Sequence, residues 1–271
     1  MVAPALEAER DEPLLVLHGF PSSSYDFAAV LDDLRRTRRV LLLDFLGYGL
    51  SDKPDQRYTL AEQADLAMAF TDAVGVGRLA LLSHDMGDTV GGELLARQAE
   101  GAWPVEITRR VLTNGSIYIE MAQLSPGQQL LLALPDALMS TETALDAPSV
   151  RAGLAATFSP SSSVPDRELV AQWELISRAD GHRLLPRLIR YIEERRRDES
   201  RYTGAIESHP SPLHVVWGVD DPIAVVAMTD RLCAARPDAV LELLDGVGHY
   251  PMIEAPARFA AAVTRGLASA S

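Results

Sequence analysis

Residues 82–88 have the sequence Leu82-Ser83-His84-Asp85-Met86-Gly87-Asp88, and this stretch decides the fold. An acid, Asp85, stands at its centre, with the small residues Ser83 and Gly87 two positions away on either side. The stretch follows an apolar run that ends at Leu82 and precedes a helical pattern that begins at Met86. Small residues at these two positions let a strand and a helix approach closely across a sharp turn. The stretch therefore predicts a strand-to-helix elbow with Asp85 at its apex.

The side chain at the apex of such an elbow selects the reaction. A serine attacks an ester carbonyl and leaves a hydrolysable acyl-enzyme, whereas an aspartate attacking the same carbonyl gives a mixed anhydride that readily reverts. Attack by an aspartate on a saturated carbon displaces a halide or opens an epoxide, and it leaves an alkyl ester that water can hydrolyse. Asp85 is therefore the candidate nucleophile, kept anionic by the helix N-terminus. The alternative is that Asp85 only caps the helix, because aspartate is common at that position.

The composition limits the classes of partner. The chain has 271 residues, of which 47% are hydrophobic and 23% charged, as in ordinary folded proteins. Its formal net charge of −13 repels nucleic acids and anionic membranes. We therefore expect no nucleic-acid or membrane partner and a small, uncharged, largely apolar substrate, while a homodimer stays open.

Cysteine content and apolar runs bear on location and cofactors. Cys233 is the single cysteine, so no intrachain disulfide or thiolate cluster is available. The histidines lack metal-ligand spacing and no Gly-rich phosphate loop follows the first strand, so we expect neither a metal nor a cofactor. Met1–Pro13 lacks the pattern of a signal peptide, and the apolar run Leu130–Met139 is short and interrupted by Pro135. These features predict a cytoplasmic protein.

Short apolar runs alternate with helical patterns along most of the chain. Six runs predict buried strands: Leu14–Leu17, Val40–Leu43, Leu79–Leu82, Val111–Thr113, Leu213–Trp217 and Val240–Leu244. Helices are predicted at Thr59–Val74, Met86–Ala99 and Pro256–Ala268. Because helices separate the strands, we expect an α/β fold with an open, doubly wound, mostly parallel sheet.

The strand pattern disappears between Ser116 and Glu207. Three helical pieces are predicted there, separated by turns rich in proline and serine: Gln128–Leu134, Asp166–Arg178 and Arg183–Arg197. We therefore predict a helical cap over residues 116–207, inserted into a core domain formed by residues 1–115 and 208–271. Within the last helical piece, Arg195, Arg196 and Arg197 lie among acids, which favours a solvated helix face of mixed charge over an anion site.

Three ionisable residues follow predicted strands in the order Asp85, Asp221, His249, which is the nucleophile, acid, histidine order of hydrolase triads. Loops at the carboxyl edge of a parallel sheet open into one crevice, so the three should converge. The imidazole of His249 would take a proton from water, which ester hydrolysis requires. Asp221 or Asp220 would orient it, and we favour Asp221 because it directly precedes Pro222, although Asp-Pro is also common in turns.

Two backbone N–H groups are expected to form an oxyanion hole. One belongs to Met86, the residue after the candidate nucleophile, and the other to Phe20 in the loop after the first strand. This hole would stabilise the tetrahedral oxyanion formed when water attacks an alkyl ester of Asp85.

Several motifs together resemble the α/β-hydrolase superfamily, in its epoxide hydrolase and haloalkane dehalogenase branch, and the elbow is most similar to that of mesoderm-specific transcript proteins. The motifs are His18-Gly19-Phe20-Pro21, Asp44-Phe45-Leu46-Gly47-Tyr48-Gly49-Leu50-Ser51-Asp52-Lys53-Pro54, His84-Asp85-x-Gly87, Trp217-Gly218-x-x-Asp221-Pro222 and Gly248-His249-Tyr250-Pro251. The resemblance implies an α/β-hydrolase fold with a helical cap over the active site.

Departures from the branch separate the candidate reactions. Haloalkane dehalogenases usually have tryptophan at the position of Met86 and asparagine at that of Phe20, so the halide-stabilising donors are missing here. Met86 also departs from epoxide hydrolases, whereas Phe20 matches them. The resemblance to epoxide hydrolases implies cap tyrosines that protonate the leaving oxygen, with Tyr191 and Tyr202 as candidates; the second could equally align with Thr203, and Tyr191 could be a core aromatic.

The leading hypothesis is an epoxide hydrolase that forms a vicinal diol. The alternatives are a haloalkane dehalogenase-like hydrolase and a catalytically quiet binding protein that retains the elbow as scaffold.

Overall fold

The fold is given by a computed structural model, which describes residues 12–268. Residues 1–11, in which no signal peptide was expected, lie outside the described range. Within residues 12–268 the chain forms one six-stranded sheet with the order β2-β1-β3-β4-β5-β6, in which every neighbouring pair is parallel. The strands are β1 (Leu14–Leu17), β2 (Val40–Leu42), β3 (Arg78–His84), β4 (Glu106–Thr113), β5 (Leu213–Gly218) and β6 (Val240–Leu244). The predicted doubly wound parallel sheet is confirmed.

Twelve α-helices accompany the sheet in the described range. They are α1 (Leu31–Leu34), α2 (Leu60–Ala73), α3 (Met86–Ala99), α4 (Pro126–Ala133), α5 (Ala147–Ala155), α6 (Asp166–Ser177), α7 (Leu185–Leu188), α8 (Tyr191–Arg197), α9 (Glu199–Ser208), α10 (Ala227–Ala235), α11 (Pro251–Glu254) and α12 (Pro256–Leu267). Two 3-10 segments add Ser24–Phe27 and Arg178–Leu184. The longest of these helices, α2 and α3, have 14 residues each, and none in residues 12–268 has the length and apolarity needed to cross a bilayer.

Helices cover both faces of the sheet. On one face, a Cβ added at Gly91 of α3 would lie 3.2 Å from Leu81 in β3. On the other, a Cβ at Gly266 of α12 would lie 2.7 Å from the Cβ of His214 in β5. Because both faces are covered, β1 is apolar along its length, and all four of its residues are buried.

The strand order positions the site. From β1 the chain moves outward to β2, then returns across β1 to form β3 and continues outward through β4, β5 and β6. The direction of winding therefore changes between β1 and β3, and a crevice opens outside their carboxyl ends at such a switch point. The loop that follows β1 and the elbow that follows β3 meet in this crevice.

Between β4 and β5 the described chain contains helices and no strand, as predicted for the cap. The predicted helix Arg183–Arg197 is divided, because Arg178–Leu184 is 3-10, Pro186 starts α7 in its first turn, and α8 begins at Tyr191. Helix α9 packs on α3: a Cβ at Gly92 would lie 2.7 Å from the carbonyl oxygen of Tyr202. Because α9, the last helix of the predicted cap, packs on α3 of the core, the boundary between cap and core at residue 207 stays a prediction.

Candidate active site

Asp85 lies at a strained turn between β3 and α3. Its φ of 50° and ψ of −114° place a residue with a side chain where few such residues occur, which costs on the order of 1–3 kcal/mol. The turn is tight because α3 approaches β1: a Cβ at Gly87 would lie 2.4 Å from the carbonyl oxygen of Leu17. The Asp85 carboxylate makes no capping hydrogen bond to α3. The capping alternative is therefore wrong, and the buried carboxylate is directed elsewhere.

The loop after β1 holds that carboxylate. The backbone N–H of Phe20 donates to Asp85 Oδ2 at 2.9 Å. A Cβ at Gly19 would lie 2.6 Å from the Cβ of Asp85, so glycine is required where loop and elbow touch. His18 Nε2 accepts from the N–H of Phe45 at 3.0 Å and fixes the start of the loop. The N–H of Met86 is the first of α3 and belongs to the terminal group that has no intrahelical acceptor.

His249 and Asp221 form a buried pair beside the elbow. The distance from His249 Nδ1 to Asp221 Oδ2 is 2.8 Å. Asp221 Oδ1 accepts from the backbone N–H groups of Ile223 at 2.7 Å and Ala224 at 2.9 Å. The neighbouring Asp220 instead accepts from Ser159 Oγ at 2.6 Å. Of the two candidate acids, the structure thus brings Asp221 and not Asp220 to His249.

The charges around His249 set its protonation. Burial by itself lowers the pKa of His249, but the negative charge of Asp221, its hydrogen bond and the charge of Asp85 together raise that pKa to about 9. His249 is therefore an imidazolium at neutral pH in the free protein. Burial and the neighbouring His249 lower the pKa of His84 to about 4, so His84 is neutral. Its Nε2–H donates to the carbonyl oxygen of His249 at 2.8 Å and supports the loop that carries His249.

The two candidate cap tyrosines lie in different places. Tyr191 is buried at the start of α8, with its ring centroid 5.7 Å from that of Phe20, and its hydroxyl makes no hydrogen bond to any described residue. Burial and the charge of Asp85 raise the pKa of Tyr191. Tyr202 donates instead to Glu194 Oε1 at 3.4 Å and packs on Gly92, about 10 Å along α3 from Asp85. The structure does not bring Tyr202 to the elbow, which corrects the predicted pair of donors.

Arg195 also departs from its predicted position. The side chain is only 1% exposed rather than solvated, while Arg196 and Arg197 are exposed as expected. Its guanidinium donates to Thr89 Oγ1 at 2.7 Å, to the carbonyl oxygen of Ser116 at 3.1 Å and to that of Asp85 at 3.2 Å. The residue four positions before it is Tyr191, so both side chains lie on the face of α8 that meets the core.

The sequence and fold were compared with known proteins. The model of the alpha/beta hydrolase family matches residues 14–262, almost the whole described range. The chain belongs to this family.

Named relatives of this alpha/beta hydrolase agree with that assignment. The chain is 42% identical over 250 residues to "Putative hydrolase LipZ" of Mycobacterium tuberculosis, covering 92% of this chain and 86% of that protein. It is 33% identical over 261 residues to the mesoderm-specific transcript protein of Mus musculus, covering 92% and 76%. An alpha/beta hydrolase fold protein from Burkholderia ambifaria superposes with a TM-score of 0.76 at 25% identity, covering 95% of this chain and 91% of that structure.

Sequence reasoning missed three buried residues that shape the site of this hydrolase. Asn114 donates from Nδ2 to Asp221 Oδ2 at 2.7 Å and accepts the N–H of Gly218 on Oδ1 at 2.9 Å. Its φ of 47° directly after β4 is a conformation that asparagine tolerates, and the Asn-Gly pair there is a turn signal that could have found it. Asp88 accepts from Ser83 Oγ, and burial raises the pKa of Asp88 well above its usual range. The third, Tyr48, donates to Met86 Sδ at 3.4 Å.

A cavity of about 100 Å³ lies between the cap and the loops that carry Phe20 and His249. Its apolar lining comes mainly from cap helices and includes Leu131, Leu145, Val150, Leu154 and Leu185. Apart from His249 and Tyr250, none of the described residues that line it is ionisable. The cavity therefore favours uncharged, apolar molecules.

Proposed function

We propose that this hydrolase is an epoxide hydrolase that forms an alkyl ester on Asp85 and hydrolyses it to a vicinal diol. One observation carries the proposal: the ring of Tyr191 lies 5.7 Å, centroid to centroid, from that of Phe20, whose backbone N–H holds the Asp85 carboxylate at 2.9 Å. The charge of Asp85 accordingly contributes to the raised pKa of Tyr191. A hydroxyl that has no acceptor in the free protein is available to protonate an oxygen of the substrate.

Ring opening would use the free carboxylate oxygen. Because Phe20 N–H holds Oδ2, Oδ1 is the oxygen that attacks an epoxide carbon. The new bond joins Oδ1 to that carbon, and the carbon–oxygen bond of the ring breaks with its electron pair on the epoxide oxygen. That oxygen takes the phenolic proton of Tyr191. The products are the ester of Asp85 and the phenolate of Tyr191.

Ester formation would also prepare His249 for the second step. The ester is neutral, so one of the charges that raise the pKa of His249 is removed. The imidazolium of His249 then gives its proton, through solvent, to the Tyr191 phenolate, and His249 becomes a neutral base. It takes a proton from water, whose oxygen attacks Cγ of Asp85, and the resulting oxyanion on Oδ2 lies against Phe20 N–H. Collapse releases the diol oxygen, which regains the proton from His249, and the carboxylic acid of Asp85 then reprotonates His249.

The contacts of Met86 favour an epoxide over a haloalkane. A departing halide needs N–H or other donors, whereas Met86 presents a thioether that itself accepts from Tyr48. The Tyr191 hydroxyl suits an oxygen that must gain a proton as it leaves.

The cavity supports a small substrate. The residues that line this cavity include His249 but neither Asp85 nor Tyr191, so the cavity would hold the apolar part of the substrate. A cavity of about 150 Å³ holds benzene, and about 100 Å³ suits a chain of about four carbons. We expect 1,2-epoxybutane to be turned over and styrene oxide to be a poor substrate.

The test is to trap the ester. In His249→Ala, incubation with 1,2-epoxybutane should add the mass of one epoxide to the protein, and the adduct should map to Asp85 in a peptide digest. Asp85→Asn in the same background should give none. Addition of a butyl group from 1-bromobutane alone would identify a dehalogenase instead. Absence of adduct and of turnover with every epoxide and bromide, in a folded protein, would refute the proposal and favour a binding role.

A further inference from the structure

Arg195 is a buried cation without a carboxylate partner. Its guanidinium nitrogens bond to one hydroxyl and two backbone carbonyls, and no carboxylate oxygen of residues 12–268 lies within the 4.0 Å of an ion pair. A charge taken out of water is strongly unfavourable unless other charges or dipoles compensate for it. The chain has a net charge of −13, yet none of its many acids forms an ion pair with Arg195 in the described range. The compensation for the buried charge must therefore come from the groups around the elbow.

The groups around the guanidinium identify the compensating charge. Arg195 opposes the rise in the pKa of Asp88, but burial is the larger influence and raises that pKa well above its usual range, which disfavours a charge on Asp88. The other carboxylate of the elbow is that of Asp85, whose Oδ2 accepts from the N–H of Phe20. Arg195 contacts Asp85 through its backbone carbonyl at 3.2 Å, and its Cζ lies 5.0 Å from the ring centroid of Tyr191. The same cation therefore contacts the backbone of the candidate nucleophile and the ring of the candidate proton donor.

We propose that Arg195 is a positioning residue that stabilises the transfer of negative charge from Asp85 to Tyr191 during ring opening, an inference that rests on the proposed function. Before the step the negative charge is on the carboxylate, and after it the charge is on the phenolate. The guanidinium bonds to the backbone of Asp85 and lies against the ring of Tyr191, so it would remain beside the negative charge in both states. The contact with the Tyr191 ring, a cation–π interaction in the free protein, becomes an attraction between opposite charges.

The geometry explains why one tyrosine suffices. Tyr202, the second predicted donor, is held by Glu194 away from the elbow. Arg195 opposes the rise in the pKa of Tyr191 and so makes its hydroxyl a better acid. Two of the three hydrogen bonds of Arg195, to Thr89 and to the backbone of Asp85, also tie α8 of the cap to the core at and beside the elbow.

The experiment measures single-turnover ester formation with 1,2-epoxybutane, by intact mass, in the His249→Ala background. Arg195→Met should slow ester formation about a hundredfold, in the range seen when one preorganised donor is removed. Arg196→Met, a change of the adjacent exposed arginine, is the matched control and should leave the rate unchanged. Arg195→Lys keeps the positive charge and should recover most of the rate of ester formation. If Arg195→Met fails to fold, the rate of Arg195→Lys relative to wild type still tests the need for a positive charge at this position.

A double-mutant cycle separates this role from a structural one. If Arg195 acts through Tyr191, then adding Arg195→Met to Tyr191→Phe should slow ester formation by only about twofold or less. An equal loss with and without the tyrosine hydroxyl, or a lysine variant as slow as methionine, would overturn the inference and leave Arg195 as a tether of the cap. Ester formation at equal rates in the Arg195→Met and Arg196→Met proteins would overturn it while leaving the proposed function intact. Absence of any adduct with Arg195 in place would refute the proposed function, and this inference with it.

Discussion

Asp26 gives a prediction about stability that does not depend on the reaction. It lies in the 3-10 segment Ser24–Phe27, is fully buried, and accepts hydrogen bonds from Ser22 Oγ at 2.5 Å and from Gln172 Nε2 of cap helix α6 at 2.8 Å. Burial raises the pKa of Asp26 from its ordinary value of 3.8 to about 7, and the acids Glu168 and Asp44 add to the rise while the two hydrogen bonds oppose it. The protonated form is thus favoured by the fold.

The sign of the effect follows from proton linkage. Between pH 3.8 and about 7 the folded protein holds a proton on Asp26 that the unfolded chain has lost. The free energy of unfolding therefore decreases as the pH rises through this window, and the contribution of Asp26 is complete below the unfolded pKa and lost above the folded one. At about 1.4 kcal/mol for each pH unit, the whole window is worth about 4 kcal/mol.

Urea unfolding of the wild type and of Asp26→Asn at several pH values from 5 to 8 would measure this. Asparagine keeps an acceptor for the hydroxyl of Ser22 but does not titrate. We expect the wild type to lose about 2–3 kcal/mol relative to Asp26→Asn between pH 5 and pH 8. The contribution of His249 is common to both proteins and cancels in the difference. Asp32→Asn, at an exposed acid, should run parallel to the wild type. If the Asp26→Asn curve ran parallel as well, the buried carboxyl would already be ionised at pH 5 and the reasoning would be wrong.

Three further predictions concern the site. Asp221→Asn should leave ester formation largely intact but slow ester hydrolysis about a thousandfold or more, so that the adduct accumulates during turnover. The control Asp220→Asn should turn over normally, because Asp220 bonds to Ser159 and not to His249. Equal effects of the two changes would contradict the pairing of His249 with Asp221. Gly19→Ala should slow adduct formation at least about tenfold without changing the thermal unfolding midpoint by more than a few degrees, because the new methyl group meets Asp85 itself; a rate equal to that of wild type would show that the loop yields. Tyr191→Phe should slow ester formation about a hundredfold and Tyr202→Phe should not, and the reverse order would place the proton donor on α9.

The sheet could be predicted because a parallel strand covered on both faces is apolar throughout. That rule fails at β4, which begins at Glu106 rather than at the predicted Val111. The first half of β4 is mostly polar. Arg110, just past the middle of the strand, is buried because its guanidinium bonds to Ser211 and to the backbone carbonyls of Ile206 and His209. Those partners are about a hundred positions away in the chain, so no local pattern could have indicated them.

The convergence of Asp85, Asp221 and His249 could be expected for the same topological reason, since all three follow strands of one parallel sheet. The cap offered no such rule. Tyr191 and Tyr202 are both candidate donors by sequence position, with Thr203 as the alternative to the second. Asp198 separates α8 from α9, however, and each helix turns its own face to the core. Which tyrosine reaches the elbow is decided by how these helices pack, and the sequence does not encode that in any short-range period.

Arg195 shows where a run of charges misleads. A run of mixed charges predicts exposed side chains only if the whole run lies on the exposed side of its helix. In α8 part of the run lies on the side that packs on the core. Tyr191 and Arg195 are four residues apart and so lie on the same face of α8, which is buried. The buried residues of the helix are Tyr191, Ile192, Glu194 and Arg195. The charged run therefore passes from the buried face to the exposed face within one turn. Glu194, which is also buried, accepts hydrogen bonds from the N–H of Leu60 at the start of α2 and from the hydroxyl of Tyr202. The two buried charged residues of α8 thus have different contacts: the acid bonds to α2 and α9, away from the elbow, and the arginine bonds to the backbone of Asp85 and lies against the ring of Tyr191.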